Sequence, residues 1–282
     1  MNKDEAKQRL IIFAERKKQT MELNMDGMKK GMYKFATAEI IAYAAQIIAV
    51  KKIAIDRDVV GAKQMFYLSA KSDEAILLAE PYNTPDHPRY SRAFISRSGI
   101  EYFPNLMNAL ISQHRELIDS MAHLIGWKDE QNLTRKMLKD PINRAGFVVK
   151  YLILGKDQEA REHLDALKSM KIPWRVRILK EAVVVLEAIL ENRPEQVESG
   201  LKRYLEREEE NAEHASAPDQ KLCSISAMGF GWLARYRGMD VSVDHPLAPK
   251  EVFTHHEIEY PNTDFLPVEL RDKTWRDVVG RS

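Results

Sequence analysis

Any chemistry in this chain must come from eight histidines, one cysteine and a scatter of acids, so their spacing is the first test. His114 and His123 are nine residues apart. On one helix, nine steps of about 100° put them on opposite faces, so they cannot share a metal. His255, His256 and Glu257 are adjacent, and neighbouring side chains diverge on a helix or a strand. No further ligand follows at a familiar zinc spacing, so neither a metal nor a cofactor is expected. Cys223 lies in an apolar helical pattern with no neighbouring histidine and reads as a small buried hydrophobe. Asp244 beside His245 could do acid–base work, but Pro246 points instead to a turn that Asp244 caps. Gly229 and Gly231 flank Phe230 inside a helical pattern, where small residues permit close helix packing rather than phosphate approach. No catalytic motif stands out, and the chain is not expected to be an enzyme.

Two clusters of charge remain. The stretch 206–213 holds Glu206, Glu208, Glu209, Glu210 and Glu213 against one base, a net of −4. It reads either as a solvated helix end or as a contact for a basic partner. Lys168, Lys171, Arg175, Arg177 and Lys180 surround Pro173 and Trp174. A basic helix junction is the expected reading there, because one tryptophan is little aromatic interleaving for a nucleic-acid surface.

The elements that must carry these residues read as helices throughout. Leu10, Ile11, Phe13 and Ala14 open the pattern. A second helix is expected after Asp26 to about Val50, and one or two more over 56–78, with Asp73 and Glu74 near a start. Pro81, Pro85 and Pro88 force a loop, taken as 81–97. Helices are expected over 103–125, with Gly126 as the stop, and over 129–139. Phe147, Val148, Tyr151 and Leu152 form the next apolar face, and Ala160, Leu164 and Leu167 follow a turn at 155–157. Pro173 is expected to open a helix in which Ile178, Leu179, Ala182, Val183, Leu186 and Ile189 share a face. A turn at 192–194 leads to a helix lined by Val197, Leu201, Tyr204 and Leu205. A loop at 215–218 precedes a last helix from about Asp219 to Gly238. From 244 to 282 the prolines predict a tail of little regular structure.

Composition agrees. Gly and Pro number 12 each in 282 residues, against about 34 together at average usage. That deficit favours long helices. Apolar residues make up 44% and charged residues 30%, a globular balance. Lys plus Arg is 43 against 42 acids, which excludes a binder driven by bulk charge. A single cysteine favours a reducing compartment. The first thirty residues hold eight bases and five acids and do not read as a secretory signal. The most apolar run, 40–50, has 11 residues, where a span needs about 20. The expectation is a cytoplasmic, single all-α domain over 1–282. Its turns at 155–157 and 192–194 imply stacked antiparallel helical hairpins with tetratricopeptide-like packing, ending in an irregular tail.

Three features in order resemble a known family. The first is Leu152, Ile153, Leu154, Gly155, Lys156 and Asp157, followed by Ala160, Leu164 and Leu167. The second is the helix of Leu186 and Leu190, the Asn192-Arg193-Pro194 turn and the helix from Val197 to Leu205. The third is Ala227-Met228-Gly229-Phe230-Gly231-Trp232-Leu233-Ala234-Arg235-Tyr236-Arg237-Gly238, then Val241, Val243 and Pro246 to Pro249. Together they resemble the immunity protein 49 family of bacterial polymorphic toxin systems, over about 147–249. PoNe immunity proteins, which neutralise DNase toxins, have a similar helical plan, but the tyrosine-rich pattern of their C-terminal segment is missing here. The resemblance implies a cytosolic antitoxin that binds a cognate effector toxin and occludes its active site without turnover. Glu206, Glu208, Glu209, Glu210 and Glu213 would then suit a basic toxin cleft, such as that of a nuclease. The competing expectation is a helical-hairpin scaffold for an ordinary cellular partner. An enzyme would need distant His, Cys or acidic residues gathered in one pocket.

Overall fold

The computed structural model describes residues 2–212 and 216–280, and the regular elements within them are helices. The chain is all-α, with one isolated bridge between His245 and Ala248. The helices are α1 Lys3–Lys29, α2 Thr37–Lys51, α3 Val59–Ala79, α4 Asn105–Ser112, α5 Arg115–Leu124, α6 Trp127–Gln131 and α7 Pro141–Ile153. They continue with α8 Asp157–Lys168, α9 Leu179–Leu190, α10 Pro194–Ala212, α11 Pro218–Leu222, α12 Ile225–Tyr236, α13 Val268–Arg271 and α14 Arg276–Val279. One apolar core extends from Ala6 in α1 to Val278 in α14. No described helix is long and apolar enough to cross a membrane.

Local chemistry sets the boundaries. Asn2 caps α1 by accepting the Glu5 N–H at 2.8 Å, Asp140 caps α7 ahead of Pro141, and Ser224 caps α12. The first helix runs through Asp26, contrary to expectation: Asp26 pairs with Lys30 one turn on, at 2.6 Å, and Gly27 and Met28 beyond it are buried. Gly31, at φ 71°, then ends it in the left-handed conformation a glycine takes most readily. The expected helix over 103–125 breaks into α4 and α5 at Gln113, φ 66°. His114 caps α5 by accepting the Leu117 N–H. The expected helix over 129–139 shortens to α6 and a 3-10 turn at Met137–Lys139. Pro173 precedes another 3-10 turn, and α9 starts only at Leu179. Asp73 and Glu74 are not near a helix start: they lie deep in α3 and are buried.

Packing is sequential through much of the chain: α1 on α2, α2 on α3, α7 on α8, α8 on α9 and α9 on α10. In a simple solenoid each unit would touch only its neighbours. Here α12 closes the array by packing on α4, α7, α9 and α10. Its glycines permit this. A Cβ at Gly229 would lie 2.3 Å from the Met107 sulfur on α4, and one at Gly231 2.3 Å from the Phe253 ring.

The tail is irregular, as its prolines demand, yet it is packed. Val252, Phe253, Phe265, Leu266, Leu270 and Val278 are buried. Side chains pin its backbone: Gln64 Nε2 donates to the Glu259 carbonyl at 2.8 Å, and the Tyr260 hydroxyl donates to the Ser112 carbonyl at 2.8 Å.

Candidate partner-binding site

Helix α10 turns Val197, Leu201, Tyr204 and Leu205 to the core at the expected spacing. One turn past Tyr204, the same face carries Glu208 inward. Its half-buried carboxylate accepts a hydrogen bond from the Ser224 hydroxyl, the same oxygen that caps α12. Burial pushes the Glu208 carboxyl up to about 7, against the pull of that hydrogen bond.

The acid run therefore does not form one outward face. Glu209 binds Lys3 at 2.6 Å and faces His245 at 3.5 Å, tying α10 to the start of α1 and to the tail. Lys3 holds its carboxyl below the usual range. Glu210 is exposed and pairs with Arg207 at 2.5 Å. Glu206 is exposed. Glu213 and the beginning of the expected 215–218 loop lie outside the described residues.

Glu208 instead opens into a cleft of about 520 Å³ between α2, α4, α10, α11 and α12. Asp219, Gln46, Asn105, Asn211 and Gln220 share its wall. Burial also raises the Asp219 carboxyl. Gln46 Oε1 accepts from Asn108 Nδ2 at 3.0 Å, and Asn211 Oδ1 accepts from Arg177 at 2.9 Å. Two carboxyls held towards their neutral forms suit an incoming guanidinium or ammonium, which would restore their ionisation. Cys223 also lines this cleft, but burial pushes its thiol up and away from the reactive thiolate.

The histidines lie in separate surroundings, with His114 at the N-cap of α5 and His123 in its last turn. His123 stacks on Trp275 at 3.6 Å between ring centroids. His114 packs between Tyr67 and Tyr260. His255 is exposed, while the ring of His256 turns to Lys63 at 3.2 Å. Among the described residues, no three His, Cys, Asp or Glu side chains gather as metal ligands would. The basic stretch leaves Trp174 78% exposed, with Arg175 over its ring at 5.8 Å.

Of the three buried charges on α3, Lys63, Asp73 and Glu74, the partners of two escaped sequence reasoning. Asp73 meets Arg97 at 2.6 Å, and Arg97 also reaches Glu39 at 2.6 Å. Lys63 is fully buried, donates to the Thr254 carbonyl at 2.6 Å and lies 4.5 Å from the Trp232 ring centroid. The only signal in the sequence is a charged residue within an apolar helix, and partners up to 193 positions away cannot be read from that. No protein-family model, curated protein or solved structure matches this chain.

Proposed function

We propose that this chain is a cytoplasmic immunity protein that neutralises a cognate effector toxin by stoichiometric binding. In this reading the carboxyl-lined cleft beside α10 receives a cationic side chain of the toxin. The observation that supports it is the inward turn of Glu208 into an open polar cleft shared with Asp219. A guanidinium entering there would meet two carboxyls and several amides in partly desolvated surroundings, where charge pairing counts most. The exposed acids on the far side of α10 alternate with Arg203 and Arg207, so their field is partly cancelled. They contribute to encounter rate rather than to grip.

The test is co-expression with the product of the neighbouring open reading frame, followed by binding of the purified pair. Rescue of growth and a one-to-one complex support the reading; no rescue and no complex overturn it. Glu208→Gln keeps the acceptor for Ser224 but removes the charge, and should weaken the complex by about tenfold or more. Reversing Glu206 and Glu210 should mainly slow association and reduce its salt dependence.

A scaffold for a cellular partner is the second reading, supported by Trp174. An indole this exposed, flanked by Lys171, Arg175 and Arg177, has the chemistry of an interface anchor. Trp174→Ala separates the two: loss of toxin binding assigns the anchor to the toxin interface, and unchanged binding leaves it to another partner.

A further inference from the structure

A second cleft, of about 190 Å³, lies where the α4–α5 elbow meets the last turn of α12. Its polar wall is Gln113, Arg115, Arg235 and His255, and its aromatic wall is Trp232 and Tyr236. None of the residues lining it is an acid. Arg115 is exposed and lies over the Tyr236 ring at 5.7 Å, and Arg235 lies over the Trp232 ring at 5.5 Å. Lys63 approaches the same indole from the core at 4.5 Å. Three cations thus share one aromatic corner, and the charge of Arg235 adds to burial in lowering the proton affinity of Lys63.

Two acids lie beside the cleft without lining it. Asp240 takes Arg235 Nη1 at 2.7 Å and is itself almost wholly exposed. Asp119 faces the Tyr236 side and pairs with His123. One donor is also left over. Gln113 Oε1 accepts the His256 N–H at 3.5 Å, but Gln113 Nε2 is buried without an acceptor among the described residues.

We propose that this cleft binds a small phosphate monoester, with the phosphate held by Arg115 and Arg235 and its organic group against Trp232 and Tyr236. Guanidinium forks match phosphate oxygens in geometry, and an anion here offsets the repulsion among the three cations. The aromatic wall favours a flat substituent over bare phosphate. This site is separate from the Glu208 cleft and does not depend on the toxin-binding reading.

The test is calorimetric titration of the full chain with phenyl phosphate, inorganic phosphate and benzoate at constant ionic strength. Phenyl phosphate should bind with a Kd of about 1 mM or tighter, ahead of both others. Arg115→Gln alters an exposed side chain and should weaken that binding by about tenfold, with circular dichroism unchanged. Arg175→Gln, at the exposed 174–176 turn, should leave it unchanged. No phenyl phosphate binding by the wild-type chain up to about 10 mM overturns the site. Equal affinity in Arg115→Gln also overturns it, and benzoate binding ahead of phenyl phosphate overturns the phosphate assignment.

Discussion

Helix α3 fastens two irregular segments, and it does so by opposite means. Near its C-terminal end, Asp73 holds the proline loop through Arg97, which also takes Glu39, so charge meets charge. Near its N-terminal end, Lys63 holds the tail through the Thr254 carbonyl and the His256 imidazole and lies over the Trp232 indole of α12, with no carboxylate in contact among the described residues. The first latch is a near-complete ion network. The second is a buried cation satisfied only by dipoles and a π face. Burial raises Asp73 to about 7 even beside Arg97, and lowers Lys63 to about 7. Burial thus shifts the two groups in opposite directions, each away from its charged form.

Breaking the first latch should cost most. Arg97→Met leaves Asp73 buried without its cation, an expected loss of about 3–5 kcal/mol in urea denaturation. Combining it with Asp73→Asn should recover part of the loss. If the single and double variants were equally unstable, the network account would be wrong. Lys63→Met removes a cation that has no carboxylate partner among the described residues; the Thr254 carbonyl loses its ammonium donor but keeps His256 Nδ1 at 2.9 Å. The expected loss is about 1–3 kcal/mol, with faster hydrogen exchange confined to the tail.

Titration sharpens the contrast. Asp73 binds its proton more tightly folded than unfolded, so its contribution is greatest at low pH and is lost as pH rises from about 4 to about 7. Glu208 acts in the same sense. Lys63 binds its proton less tightly when folded, so stability should rise with pH from about 7 towards 10.5. Lys63→Met should flatten the alkaline slope and Asp73→Asn should reduce the acid one, both measured by denaturation across pH. A wild-type alkaline slope that survives Lys63→Met would assign it elsewhere. The smallest effect is expected from Tyr260→Phe, which removes one tail hydrogen bond to Ser112 for about 0.5–1.5 kcal/mol.

Much of α7 to α10 was legible in the sequence because period, proline and turn residues agree there. Asp140-Pro141 and Asn192-Arg193-Pro194 mark starts whose chemistry is local, and the close-packing reading of Gly229 and Gly231 needed only their setting in a helix. Boundaries set by tertiary contacts were not legible. Nothing in the residues around Gln113 announces a left-handed break, and no glycine or proline stands there. Asp73 and Glu74 have the type of residue favoured at a helix start, but the need for a counter-charge to Arg97 explains Asp73's place in the interior. The candidate site was half legible. The acid run was visible, but which acid faces inward depends on helix phase, and Glu209 was already committed to Lys3, more than two hundred positions away.

The late position of α12 carries one more consequence. It is the last long helix in the order of synthesis, yet it touches α4, α7, α9 and α10. A ribosome therefore emits most of the apolar surfaces before it emits the element that joins them. Until Gly229 can seat against Met107, the earlier helices have local partners but no common closure. Assembly can follow the order of synthesis through the sequential pairs, and the closure by α12 adds long-range contacts that come last and slow consolidation.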